Sequence, residues 1–551
     1  MIKNILKELS PWGNIKSLNT NIKNDILAGI TVAIIALPLA LAFGEISQLG
    51  PEAGIWSAVV GGVIGGLFGG CLVGVSGPTA PMASQIAAFM GAFVIGSTNE
   101  PDLVAAFSII FLSGLILVLI SLLKISRFVN YIPYSAIAGF MCGIGFIVIL
   151  TQINAFVGLE SEKNLRLVFV NIDNTIKNIN INALYVAIPS LFIMLVWDKI
   201  NLKISALPSI PAPLVALIFG SSIAYFMNLD IPYIGDKMTA NSQGQVFSLY
   251  IPELSRIGEF LLPAFSLAGL AVLDSLLSCK VADNLTMSRH SSNRETFGQG
   301  MANMAAGLFG GISTATATTQ TVGNITFGAK TPLSTIVKGL SMFAILSGFG
   351  FLVAAIPNAC LAAILFKIGV DILDYRIIPV IKKLPLTDFL IFLIVFVVTI
   401  YKNIMLAVAV GVFFGFLKSY KHIISIYKTK FENKIIPFSK SGNKIEDKNN
   451  FISESTYILK MQGPLFFGRI ESIYNAYEKI SNYQVVIIDL NAISMIDLSG
   501  VFALEDLVNK IKSNGSKVFV LNNCPKIKTI LINLNFIENI GFENYLESEK
   551  F

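Results

Sequence analysis

The sequence predicts a polytopic α-helical membrane protein that ends in a small α/β domain. The chain has 551 residues, of which 54% are hydrophobic and only 13% are charged, whereas a soluble domain carries about 25% charged residues. Apolar runs of membrane-spanning length, about 20 residues, fill most of the chain from Asp25 to about Tyr420, and a charged segment follows from Lys418. This composition excludes a disordered chain, a fibrous protein and an ordinary cytosolic enzyme.

The distribution of lysine and arginine predicts the orientation in the membrane. Basic residues cluster in the N-terminal segment 1–24, near Lys124, near Lys280, near Lys382 and after Lys418. Loops rich in Lys and Arg stay in the cytoplasm, so both termini are expected there, in a multi-pass protein of the plasma (inner) membrane surrounded by lipid. These loops account for the net charge of +6, and no nucleic-acid partner is predicted.

A short repeat points to a transport site. The sequence GLFGG occurs at Gly66–Gly70 and again at Gly307–Gly311, and each copy precedes a segment rich in Gly, Pro and hydroxyl side chains, at 75–85 and 313–324. Apolar segments that are interrupted at corresponding places in two halves mark the binding site of many transporters. The repeat therefore predicts two broken helices that meet within the membrane.

Two helices that begin inside the membrane would create a site for an anion. Helix N-termini present unpaired N–H groups and a positive dipole end, which together favour negative charge. Thr79 in the first half, and Thr316 and Thr318 in the second, place hydroxyl groups at these positions. The alternative for each threonine is a hydroxyl that bonds back to the preceding helical turn.

Asp274 is a carboxylate in the middle of an apolar segment. An ionisable residue within a membrane span is by default a candidate functional residue. If Asp274 is buried beside an anion site, it must bind a cation or a proton to be tolerated, which predicts cotransport of a cation with the anion. The alternative is a span that ends near Ser278 and leaves Asp274 at the interface.

Several motifs resemble the sulfate permease (SulP) family of anion transporters. The first span matches around Asp25, Pro38 and Gly54, VSGPTAPM resembles the third span of the family, and GNITFGAKTPLS resembles the end of its tenth. The resemblance implies about fourteen spans, arranged as two inverted repeats of seven (about 25–227 and 258–425) that form a core domain and a gate domain. It also implies alternating access and a homodimer, and no enzymatic activity.

The segment 274–286 resembles the sodium-dependent bicarbonate transporters of this family. The resemblance assigns Asp274, Ser278 and Thr318 to sodium, as a co-substrate rather than a cofactor. It assigns Thr79 and the backbone of Thr316, Ala317 and Thr318 to the anion. The walls of the pocket are then Pro38, Leu39, Phe43, Pro78 and Gln320.

Three departures from the family pattern bear on the substrate. Ser278 stands where the bicarbonate transporters have Thr, which keeps the hydroxyl. Gln320 occupies the centre of a triplet in which many members carry Arg, and Leu39 replaces a Gln common in animal relatives. Without that arginine, a monovalent anion assisted by sodium is favoured, and bicarbonate is the first choice. Sulfate or a dicarboxylate, coupled to protons or exchanged, is the alternative.

The C-terminal segment predicts a small α/β domain. Strand patterns at 457–467, 484–490 and 517–523 alternate with amphipathic helices at 469–480, 498–512 and 525–534. The segment 456–551 resembles a cytoplasmic STAS domain, and the segment 426–455 is predicted to be a linker. Ser499 occupies a position that related modules phosphorylate, so it is a candidate regulatory residue, with capping of the following helix as the alternative. A membrane-anchored regulator that recruits a cytoplasmic partner through this domain is a second hypothesis for function.

Overall fold

The computed structural model describes most of the chain, with gaps. The described residues are 9–91, 93–95, 100–126, 133–160, 165–201, 211–236, 249–253, 255–286, 288–348, 354–373, 376–401, 406–407, 410–411, 413–414, 417, 434–437, 456–465, 484–513 and 515–546. The chain divides into two compact units. Unit 1 comprises Met1–Val129, Met141–Leu373 and Val398–Val408, and unit 2 comprises Asn130–Phe140, Asp374–Val397 and Ala409–Phe551.

The apolar part of the chain is helical, with two short strands at the interrupted segments. Its main elements in chain order are α1 (Trp12–Ser17), α2 (Ile22–Ile46), α3 (Pro51–Val60), α4 (Gly66–Phe68), β1 (Ser76–Pro78), α5 (Ala80–Met90), β2 (Val94–Ile95), β3 (Glu100–Pro101), α6 (Leu103–Leu122), α7 (Tyr134–Thr151), α8 (Ile153–Phe156), α9 (Leu165–Val170), α10 (Ile172–Lys177), α11 (Ile181–Asn201), α12 (Ala212–Phe226), α13 (Ile257–Thr286), α14 (Ser292–Phe309), β4 (Thr314–Thr316), α15 (Thr318–Thr326), α16 (Leu333–Gly348), α17 (Asn358–Ile372) and α18 (Leu386–Tyr401).

Several of these helices have the length and composition of membrane spans. Within the described residues, five helical stretches have 18 or more residues and high mean hydropathy. They are Ile22–Ile46, Pro51–Phe68, Leu103–Leu122, Tyr134–Thr151 and Ile257–Asp283. Four shorter apolar helices, of 10–17 residues, accompany them. The membrane part is thus a bundle of helices of unequal length.

Glycine allows the first two long helices to pack closely. Gly50 has φ of +95°, a conformation that L side chains rarely adopt, and Pro51 starts α3 directly after it. On α3, a Cβ atom built on Gly54 would lie 1.7 Å from the carbonyl oxygen of Ala40 on α2. Any side chain at position 54 would therefore push the two helices apart.

The glycine-rich end of the second long helix accommodates strand β1. Residues Gly61–Gly65 form a π-helical turn that joins α3 to α4. A Cβ atom on Gly61 would lie 3.0 Å from the Ser76 carbonyl oxygen, and one on Gly65 would lie 2.6 Å from the Ser76 hydroxyl. Gly61 and Gly65 therefore pack closely against the strand that precedes the first half-helix.

The C-terminal segment forms an α/β domain within unit 2. Its five strands lie in the order β5 (Lys434–Pro437), β6 (Thr456–Leu465), β7 (Val485–Ile496), β8 (Lys517–Leu521) and β9 (Tyr545–Leu546), with α19 (Leu498–Ser513), α20 (Pro525–Asn533) and α21 (Phe536–Ile540). Strand β5 is antiparallel to β6, and the other neighbours are parallel. The α/β prediction is confirmed, while the helix predicted at 469–480 lies outside the described residues.

Two sequence-based expectations for this domain need correction. Residues Lys434–Pro437, assigned to the linker, form a strand that pairs antiparallel with β6. Ser499 does not cap α19. Asp497 does so, since its carboxylate accepts a hydrogen bond of 2.8 Å from the N–H of Gly500.

Candidate ion site

A two-stranded ladder brings the two interrupted segments together. Strand β1 pairs antiparallel with β4, with Ser76 opposite Thr316, and all six residues of the ladder are buried. Helix α5 begins two residues after β1, and α15 begins two residues after β4. Because the strands run in opposite directions, the N-termini of the two half-helices flank the ladder. This is the arrangement that the GLFGG repeat predicts.

Polar side chains from neighbouring helices fix the ladder. The N–H of Thr316 donates to the hydroxyl of Ser275 at 3.1 Å, and the N–H of Ala317 donates to the carbonyl of Val75 at 2.9 Å. Two of the backbone groups assigned to the anion therefore bind within the protein. Of the backbone groups assigned to the anion, this leaves the N–H of Thr318. Thr318 is the first residue of α15, where N–H groups have no partner inside the helix.

Asp274 lies within a helix and faces the first half-helix. It is about three turns before the end of α13, and the apolar stretch of this helix continues to Asp283. The Asp274 carboxylate accepts a hydrogen bond of 2.7 Å from the hydroxyl of Thr79, the residue that precedes α5. Two residues that the sequence places 195 positions apart thus meet at one end of the ladder.

A pair of hydroxyl groups lies one turn further along α13. The Ser278 hydroxyl is 2.6 Å from the Thr318 hydroxyl, and Ser278 is fully buried whereas Thr318 is exposed. Asp274, Ser278 and Thr318 are therefore brought to one location between α13 and α15. A carboxylate with hydroxyl oxygens is a donor set suited to a hard cation such as sodium.

The predicted wall residues lie on three elements, which are α2, β1 and α15. Pro38, Leu39 and Phe43 are buried on α2, which packs against β1 and α5. Pro78 is the last residue of β1, and Gln320 is on the first turn of α15 with 1% exposure. Proline at position 81, rather than Pro78, stands in the first turn of α5.

Sequence reasoning missed a buried acid that supports the ladder. Glu295 on α14 is 2% exposed, and its carboxylate accepts hydrogen bonds from the N–H groups of Gly70 and Cys71 and from the side chain of Gln299. The Gln299 amide also donates to the Ser76 hydroxyl at 2.6 Å. Glu295 lies in the polar sequence SNRETFGQ, so its burial had no signal in the hydropathy pattern.

A buried lysine was missed as well. Lys338 on α16 has no exposed surface, and its ammonium donates to the carbonyl oxygens of Ala58 and Ser76, both at 3.0 Å. The criterion that selected Asp274, an ionisable residue inside an apolar segment, applies equally to Lys338 in STIVKGLSMF. The ladder is therefore surrounded by buried charges of both signs.

The candidate regulatory residue lies in unit 2 and is buried. Ser499 is 3% exposed, and its hydroxyl accepts a hydrogen bond of 3.0 Å from the N–H of Tyr134. Nearby, Arg376 bonds to Asp506 and lies over the ring of Phe502. Burial lowers the pKa of Arg376, but its hydrogen bond and attraction to Asp506 outweigh that effect, so the pKa is raised.

Two family models match the chain. Residues 22–395 match the sulfate permease family, and residues 448–549 match the STAS domain. The chain belongs to the sulfate permease family. It is an anion transporter with a helical transmembrane fold and a C-terminal STAS domain, not an enzyme, as the motifs in the first and third spans predicted.

Similar proteins carry two different substrate names. The bicarbonate transporter BicA of a Picosynechococcus species is 30% identical over 542 residues, which cover 96% of this chain and 94% of that protein. A putative sulfate transporter of Bacillus subtilis, YvdB, is 28% identical and covers 97% of this chain and 98% of its own.

Solved structures extend the similarity to the fold. The transmembrane domain of a cyanobacterial BicA matches with a TM-score of 0.59 and 32% identity, covering 72% of this chain and 97% of that one. The anion transporter SLC26A9 matches with a TM-score of 0.66 over 99% of this chain and 92% of that one. Its identity of 17% makes it a comparison of fold alone.

Proposed function

We propose that this protein takes up bicarbonate together with sodium. The observation that carries the proposal is the contact of Asp274 with Thr79, with the Ser278–Thr318 hydroxyl pair one turn away. A carboxylate beside two helix N-termini is repelled by an incoming anion unless a cation binds with it. Sodium at Asp274 would remove that repulsion, so each ion raises the affinity for the other.

The proposed site divides into a cation part and an anion part. Sodium binds the Asp274 carboxylate and the hydroxyl oxygens of Ser278 and Thr318. The anion binds between the N-termini of α5 and α15, where the Thr79 hydroxyl, released from Asp274 by sodium, and the backbone N–H of Thr318 are donors. Leu39 and Phe43 form an apolar wall on α2. Similarity to BicA supports bicarbonate as the substrate.

The setting in the cell is part of the same proposal. The protein lies in the plasma (inner) membrane as a homodimer with both termini in the cytoplasm, and a core domain that bears the site moves against a gate domain. The basic loops support this orientation. The STAS domain is then cytoplasmic, where it is available to a partner protein.

Uptake into proteoliposomes tests the proposal. Labelled bicarbonate should accumulate when sodium is present outside and not when potassium replaces it. Sulfate is the second candidate substrate, because YvdB covers nearly the whole chain. Uptake of labelled sulfate that is independent of sodium, with no uptake of bicarbonate, would establish the second candidate and contradict the first.

A further inference from the structure

Lys338 is a fully buried basic residue on α16. Its ammonium has three donors, and two of them bond to the carbonyl oxygens of Ala58 and Ser76. In the part of the chain that the structure describes, no carboxylate oxygen lies within 4.0 Å of this nitrogen. An intramembrane charge held by carbonyl groups alone is costly and points to a function.

The lysine is attached to the ladder from which the half-helices start. Its acceptor Ser76 lies opposite Thr316 in the ladder, two residues before α15 begins. The hydroxyl of Ser76 accepts a separate hydrogen bond from the side-chain amide of Gln299. The Lys338 ammonium thus bonds to the strand that precedes α5, at a site where two helix N-termini already present partial positive charge.

Gln320 completes the arrangement from α15. Its side chain is 1% exposed, and its amide oxygen has no hydrogen-bond partner among the described residues. A Cβ atom built on Gly77 would lie 3.0 Å from the Lys338 nitrogen and 3.9 Å from this oxygen, so both groups adjoin the same glycine. An unpartnered buried acceptor costs about 1–3 kcal/mol, and the Lys338 ammonium is a donor that adjoins the same glycine.

We propose that Lys338, with Gln320 beside it, is the fixed cation of the anion site and sets its preference for anion charge. The inference rests on the proposed function, because it concerns the same anion site. Coulomb energy is proportional to the product of the charges. A fixed cation therefore attracts a divalent anion twice as strongly as a monovalent one. Its loss should raise the dissociation constant of sulfate by a larger factor than that of bicarbonate.

Lys338→Gln is the principal test, and Lys338→Arg is its matched control. In sodium-driven uptake, Lys338→Gln should raise the half-saturating bicarbonate concentration about tenfold, and the inhibition constant of sulfate by about the square of that factor. Lys338→Arg keeps the charge and should change both less than threefold. At saturating bicarbonate, the half-saturating sodium concentration should not rise, because removal of a like charge does not weaken cation binding.

A charge relocation separates electrostatics from a structural role. The double variant Lys338→Gln/Gln320→Lys returns the positive charge from the neighbouring helix, and it should recover most of the bicarbonate affinity. If Lys338→Gln does not fold, Gln320→Glu keeps the lysine and both of its carbonyl bonds while cancelling its charge. That variant should give the same loss for bicarbonate and the larger loss for sulfate.

The outcomes distinguish this inference from the proposed function. Wild-type protein that takes up no bicarbonate would contradict the proposed function. Wild-type uptake with unchanged anion affinity in Lys338→Gln would overturn the role of Lys338 alone. An equal loss for bicarbonate and sulfate, accompanied by weaker sodium binding and no recovery in the double variant, would assign the lysine to structure only.

Discussion

Replacement of Asp274 by asparagine tests the sodium site most directly. Asparagine has nearly the same shape and keeps an oxygen that accepts the 2.7 Å hydrogen bond from Thr79, so we expect the helices to stay in place. What is lost is one negative charge. For a cation about 4 Å away in surroundings with an effective dielectric constant of about 20, that charge is worth about 4 kcal/mol.

This energy corresponds to a rise of about a thousandfold in the half-saturating sodium concentration. Bicarbonate uptake by Asp274→Asn in proteoliposomes should therefore be close to background at any practical sodium gradient. Thermal unfolding of the purified protein provides an independent readout, because a ligand that binds only the folded state raises its stability. Sodium should stabilise the wild-type protein and leave the variant unchanged.

The matched control for this experiment is Asp274→Glu, which keeps the charge on a longer side chain and should retain measurable sodium dependence. Uptake by Asp274→Asn that equals the wild type, with the same sodium dependence, would refute the assignment of the carboxylate to sodium. Loss of uptake together with full sodium-dependent stabilisation would move the role of Asp274 from sodium binding to a later step of transport.

Three further predictions follow from individual contacts. Ser278→Ala removes the hydroxyl that bonds to Thr318 and should raise the half-saturating sodium concentration about tenfold, whereas Ser278→Thr should match the wild type in the same uptake assay. Gly54→Ala should lower the free energy of unfolding by about 1–3 kcal/mol because of overpacking; Gly269→Ala, at a position with no atom within 4 Å, is the control, and equal thermal stability of the two would contradict the reasoning. Ser499→Asp places a charge at a residue of 3% exposure and should lower the free energy of unfolding by about 2 kcal/mol. If Ser499→Asp is as stable as Ser499→Ala, the contact between Ser499 and the N–H of Tyr134 opens readily.

The sequence carried enough information to predict the location of the candidate site. Interrupted apolar segments gave the two half-helices, because a Gly- and Pro-rich break leaves helix ends inside the membrane. Asp274 was identifiable since a lone carboxylate in an apolar segment stands out from its neighbours. Lys338 satisfies the same criterion and could have been found by applying it to every apolar segment.

Other features of the site had no signal in local sequence. The bond between Thr79 and Asp274 joins residues 195 positions apart. Glu295 lies in a polar stretch that hydropathy places at the membrane surface, yet it is buried because Gly70 and Cys71 turn their N–H groups toward it. The cap of α19 was assigned to the wrong side chain, since serine and aspartate are both good caps and only the backbone geometry selects Asp497.

Composition and periodicity alone determined that this is a helical membrane protein with a C-terminal α/β domain, because burial in lipid and in a sheet each imposes a pattern on neighbouring residues. Motifs in the first, third and tenth spans indicated the sulfate permease family. Tertiary structure decided which ionisable groups meet at the ladder. Asp274 lies with Thr79 and with the Ser278–Thr318 pair, and Lys338 lies against Ser76 and near Gln320. Electrostatic energy depends on distance through space rather than along the chain, so the balance of charge around the ions emerges only when the helices are packed.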